Sequence, residues 1–129
     1  MEIKGTLLKM DFQSNPNHRH YVLPEKTVAE FNSRPPEKRV ATLRWPKIDQ
    51  KKEEFQCGTI NDLQDTCGHV VASVAVDPSL SGGKELKELV DGGKTLVCGL
   101  AGYGHCEGEA AVMDSIEYVA ISEPHEVPR

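Results

Sequence analysis

The run Val70-Val71-Ala72-Ser73-Val74-Ala75-Val76 is apolar almost throughout and rich in β-branched side chains, between Gly68-His69 and Asp77-Pro78. Such residues lose side-chain freedom in a helix but fit a pleated surface. A run without polar alternation needs cover on both faces, so it predicts a central strand. Aromatic residues are only 5% of the chain, so the core around it must rest on Val, Leu, Ile and Ala. The candidate core is Leu43, Val74, Leu96, Leu100, Ile116 and Val119.

Other segments supply neighbours for that strand. In Ile3–Met10 the apolar positions change side midway, which implies a bulge or strong bend. Asn15–His20 reads as a loop and Tyr21–Leu23 as a short strand. Arg39–Trp45 alternates, with Ala41, Leu43 and Trp45 on one side, and predicts a half-buried strand stopped or held at an edge by Pro46. Phe55–Ile60 predicts a strand, followed by a polar loop through Thr66. Thr95–Ala101 and Ala111–Ile121 close the set, the last long enough to span two neighbours.

Two short helices interrupt the strands. Pro24–Phe31 has an early proline and glutamate, with Val28 and Phe31 three apart, and Pro35-Pro36 ends it. Leu86, Leu89 and Val90 recur at helical spacing before Gly92-Gly93, giving helices near 25–32 and 83–91. The expected fold is all-β or β-rich α+β: a small antiparallel barrel, OB-like or a sandwich, with about seven strands. A single domain over 1–122 with a flexible tail over 123–129 is expected for 129 residues.

The segment Gly92–Gly104 followed by Asp114-Ser115-Ile116-Glu117-Tyr118-Val119 resembles the last two strands of OB-type barrels. There a glycine-containing strand, a glycine loop and a final apolar strand close the sheet. This resemblance covers about a quarter of the chain. It implies a binding fold whose ligand the fold does not choose.

Charge divides unevenly along the chain. Residues 1–55 hold 11 basic and 8 acidic side chains, a balance of +3, while residues 56–129 hold 4 and 12, a balance of −8. The net charge of −5 argues against general nucleic-acid binding. A local basic stretch over 34–52 leaves one such route, with Arg39, Arg44 and Trp45 as the contact residues for a single strand. The bland reading places Trp45 in the core.

Four cysteines and five histidines provide the remaining chemistry. Cys67 and His69 lie in one stretch, His105 and Cys106 in another, and two thiolates with two imidazoles suit tetrahedral zinc. Their spacing matches no common ribbon or finger. Cys57, Cys98, His18 and His20 are reserve ligands. A cysteine nucleophile at Cys67 or Cys106, activated by His69 or His105 and oriented by Asp65 or Glu107, is the enzymatic alternative. Gly83-Lys84 and Gly93-Lys94 form no phosphate loop, because Pro78 and Glu88 stand where glycine is needed.

No stretch approaches the length of a membrane span and no export signal is visible, so a cytoplasmic location with reduced thiols is expected. The leading functional expectation is a cofactor-free, non-enzymatic binding module for a protein partner or for a second copy as a homodimer. A zinc- or cysteine/histidine-based enzyme built on 65–69 and 102–109 is the alternative.

Overall fold

A computed structural model of the chain describes residues 2–11, 20–47, 49–66 and 69–123. Its elements, in chain order, are β1 (Glu2–Asp11), β2 (His20–Val22), α1 (Glu25–Ser33), β3 (Val40–Leu43), β4 (Gln56–Thr66), β5 (His69–Val76), α2 (Ser81–Asp91), β6 (Val97–Glu107) and β7 (Ala110–Ser122). Short 3-10 turns lie at Pro36–Lys38 and Lys52–Phe55. The fold is β-rich α+β. Five strands are long, whereas β2 and β3 have three and four residues, so seven comparable strands are not what forms.

Hydrogen-bonded neighbours follow the order β2-β7-β3-β4-β5-β1-β6, and β6 also pairs with β7. The expected antiparallel sheet is corrected by these ladders. β1–β6, β2–β7 and β3–β7 are parallel, while β1–β5, β3–β4, β4–β5 and β6–β7 are antiparallel. The physical reason is connection length. Helix α1 carries the chain from β2 to β3, which both run parallel to β7, and β1 meets β6 from far along the chain, so no parallel pair is joined by a tight hairpin that would force antiparallel pairing.

Several boundaries differ from the sequence expectation. β4 runs through the supposed loop to Thr66, with a register shift between Ile60 and Asp62. An extra residue at that shift disguises the alternation. β6 likewise continues through 102–107, which the glycines had made look like a loop. β3 is buried on both faces and lies between β7 and β4, so it is neither half-buried nor an edge. Thr42 tolerates burial because its hydroxyl donates to the Arg44 carbonyl at 2.9 Å. Arg44 then takes a positive φ of 68°, which ends the strand before Pro46 is reached. The bulge expected in β1 lies between Leu7 and Lys9, where its partner changes from β5 to β6. Residues 15–19 of the expected loop, and the tail over 124–129, fall outside the described residues.

The short β3 leaves a gap between the long strands β4 and β7, and α1, with Arg34 just past its end, fills it with side chains. Asn32 donates from Nδ2 to the Leu63 carbonyl at 2.8 Å and accepts from the Leu63 N–H at 3.0 Å. That exchange imitates one residue of a neighbouring strand. On the other side, Thr27 Oγ1 donates to the Met113 carbonyl at 2.8 Å, and Arg34 Nη1 donates to the Ile116 carbonyl at 2.7 Å. Buried carbonyls without such partners would be costly.

The core gathers Phe31 and Val28 from α1, Leu86 from α2, and Leu43, Ile60, Leu63, Val74, Leu100, Met113, Ile116 and Val119 from the sheet. Of the expected core residues, Leu43, Val74, Leu100, Ile116 and Val119 are buried, while Leu96 is only partly so. The first turn of α2 presses on β4, and a Cβ at Gly82 would meet the Gln56 carbonyl oxygen at 2.7 Å.

Candidate functional site

The β6–β7 hairpin is buried at its base and exposed at its tip. Along β6, Cys98 to Ala101 are buried, while Tyr103 to Glu107 are exposed. Gly102 marks the transition, since a Cβ there would strike the Ser115 carbonyl of β7. Gly108 turns the chain at a φ of 60°, conformational space that glycine enters without strain. Register shifts beside Gly102 and Gly104 accommodate extra residues on β7, one of which is Asp114.

His105 lies between two carboxylates. Its Nδ1 is 2.6 Å from Asp114 Oδ2 across the hairpin, and its Nε2 is 3.0 Å from Glu107 Oε1 on its own strand. The hydrogen bond with Asp114, then that with Glu107, holds the imidazole pKa above its ordinary 6.5. Both ring nitrogens are thereby engaged, and among the described residues their partners are carboxylates rather than a thiol or hydroxyl. Cys106, the next residue, is exposed on the opposite face of the strand.

The other residues named from the sequence are dispersed. His69 is in β5, separated from β6 by β1. Thr6 of β1 pairs with Val71 and Leu7 pairs with Cys98, so the β5 end at His69 is level with the base of β6. His105 lies about 20 Å farther along that strand, at about 3.3 Å per residue. Cys67 falls outside the described residues, as does His18, and His20 opens β2 beside Ala110. Among the described residues, no group of three or more His, Cys, Asp or Glu side chains is arranged to hold a metal ion. Cys57 and Cys98 are buried thiols, and desolvation pushes their pKa values up to about 12 and about 11.

The basic stretch is largely committed within the molecule. Arg39 Nε donates to the Ile60 carbonyl at 2.7 Å and its Nη1 to the Arg34 carbonyl. Arg44 pairs with Glu85 of α2 at 2.9 Å, and Lys52 with Glu117 at 3.5 Å. Trp45 is half-buried, its indole nitrogen enclosed with no hydrogen-bond partner among the described residues. Lys38, Lys47 and Lys51 are exposed.

Two large apolar residues stand out as exposed among the described residues, Tyr103 at 65% and Val22 at 42%. Both belong to the β2-β7-β6 part of the sheet. Val22 pairs with Val112, and Val112 pairs with His105, so the three side chains share one face. Tyr103 and Glu107 flank His105 at alternate positions on that face. Tyr103 hydrogen-bonds Glu117, which raises the tyrosine pKa. Sequence reasoning missed Val22 and Asp114. A hairpin drawn through Gly108 brings position 114 near His105 only after the extra residue on β7 is known.

No family model and no curated protein matches this chain. Among solved structures, it is similar to the capsid assembly protease of bacteriophage T4, with a TM-score of 0.58 and 15% identity. The match covers 95% of this chain and 81% of that one. At that identity the similarity is one of fold. Among the described residues no helix is long and apolar enough to cross a membrane.

Proposed function

We propose that the chain is a protein-binding module that associates with a second copy of itself through the outer face of β2-β7-β6. The observation that carries this reading is the placement of Tyr103 and Val22, both exposed, on one face ringed by carboxylates. Exposed apolar side chains with a polar rim are the anatomy of a contact surface. Glu107, Asp114 and Glu117 on this side favour a basic counterpart. The chain carries one itself, in the exposed Lys38, Lys47 and Lys51. Such a contact joins unlike surfaces head to tail, rather than the same patch to itself.

The fold likeness adds context. The neighbour's name joins capsid assembly with proteolysis, and the exposed face argues for the assembly half of that pairing. His105, with both nitrogens held by carboxylates, gives the proteolytic half no support. The barrel expected from the strand pattern also belongs to this reading. The run of ladders from β7 through β3, β4, β5 and β1 to β6, with the further β6–β7 ladder, supports it. Free thiols at Cys57, Cys98 and Cys106 accord with a reducing, cytoplasmic setting.

Sedimentation velocity from dilute to concentrated protein tests the proposal. The expected result is an average mass that rises with concentration and falls in high salt, because exposed charge pairs are screened. Tyr103→Ala with Val22→Asp, and separately Lys47→Glu with Lys51→Glu, should each leave a folded monomer. A wild-type chain that stays monomeric at every concentration refutes the reading.

A further inference from the structure

A neutral imidazole has one N–H, whereas His105 presents both ring nitrogens to carboxylate oxygens. Only the imidazolium donates to both. Once the ring is neutral, one contact becomes a lone pair facing a carboxylate oxygen and must open. We propose that His105 is a protonation-dependent clasp that sets the rigidity of the distal β6–β7 hairpin, and so regulates the contact face built on it. The regulatory part rests on the binding proposal above; the clasp itself does not.

Placement makes the clasp effective. Asp114 is the extra residue of a register shift, where the ladder alone holds the two strands least regularly. Glu107 is the last residue of β6, at the turn. His105 therefore ties the irregular middle of the hairpin to its end. Among the described residues, the groups that face it are Glu107 of β6 and Asp114 of β7. Tyr103 and Glu117 come next on this side of the hairpin, and Lys52 reaches Glu117 from the turn before β4. Loss of the proton leaves two carboxylates with no cation between them, beside Glu109 in the turn.

The direction with pH follows from the raised imidazole pKa. The clasp is complete below about pH 6.5, the unfolded value, and is lost as pH rises through the higher folded value. Alkaline conditions thus loosen the tip and add negative charge to it.

The test is amide hydrogen exchange over Tyr103–Met113, corrected for intrinsic pH dependence, in dilute monomeric protein, with the His105 ring followed by NMR. Protection should fall by up to about fivefold between about pH 6 and about pH 9, the scale of a surface ion pair. H105Q should be unprotected and flat with pH. H105R, permanently charged and able to reach both carboxylates, should be protected and flat. Wild-type protection that stays flat while the ring titrates overturns the proposal, and so does a ring pKa at or below 6.5. If H105Q fails to fold, the wild-type series and H105R still decide. Absence of self-association at every pH would defeat the binding reading alone, because the exchange measurement needs no partner.

Discussion

Replacing Thr27 with valine keeps its shape and removes one hydroxyl. Thr27 is 2% exposed, and its Oγ1 donates to the Met113 carbonyl at 2.8 Å. That carbonyl lies on the side of β7 facing α1, between the segments paired with β2 (residues 110–112) and β3 (residues 119–121). In the variant it loses its donor while staying away from water. An orphaned buried acceptor costs about 1–3 kcal/mol. The added methyl returns at most about 0.8 kcal/mol through burial. The net loss is therefore about 0.2–3 kcal/mol. For 129 residues, unfolding entropy of about 2.1 cal/mol/K per residue makes each kcal/mol worth about 4 °C. Calorimetry should then find the Thr27→Val midpoint lower by about 1–12 °C. A midpoint equal to or above that of wild type would refute the claim that α1 satisfies the free edge of β7.

Two further outcomes are expected. Val74 is 1% exposed on the central strand β5, so Val74→Ala should cost about 1–3 kcal/mol, read as a lower denaturant midpoint at unchanged slope. The thiols should separate in reactivity: Cys106 is exposed and should alkylate first near neutral pH, while Cys57 and Cys98, buried with pKa values of about 12 and about 11, react only on unfolding. Equal rates for the three would contradict their placement.

Local pattern determined much of this molecule. Val70–Val76 and Ala111–Ile121 are strands because β-branched and apolar residues leave few other options. α1 stops at Ser33 because Pro35-Pro36 cannot continue it. The shift in β1 was legible from apolar residues that change side. Chemistry was legible only as residue type: His105 and Glu107 could be named, but not their geometry.

Tertiary structure decided the rest, because ladders and gaps depend on residues far apart in sequence. Whether neighbouring strands run parallel depends on where α1 and α2 carry the chain, which no single strand records. β3 lies between β4 and β7 and is buried on both faces, although Thr42 and Arg44 made it look half-exposed. Its four residues leave a gap that Asn32 and Thr27 of α1 and Arg34 just past its end fill, three polar residues with no local sign of that task. The register of β6 against β7 brings Asp114 to His105, and the parallel pairing of β2 brings Val22 beside them. Local sequence therefore marked the centres of the strands and helices, while long-range pairing decided how far β4 and β6 extend and which side chains meet.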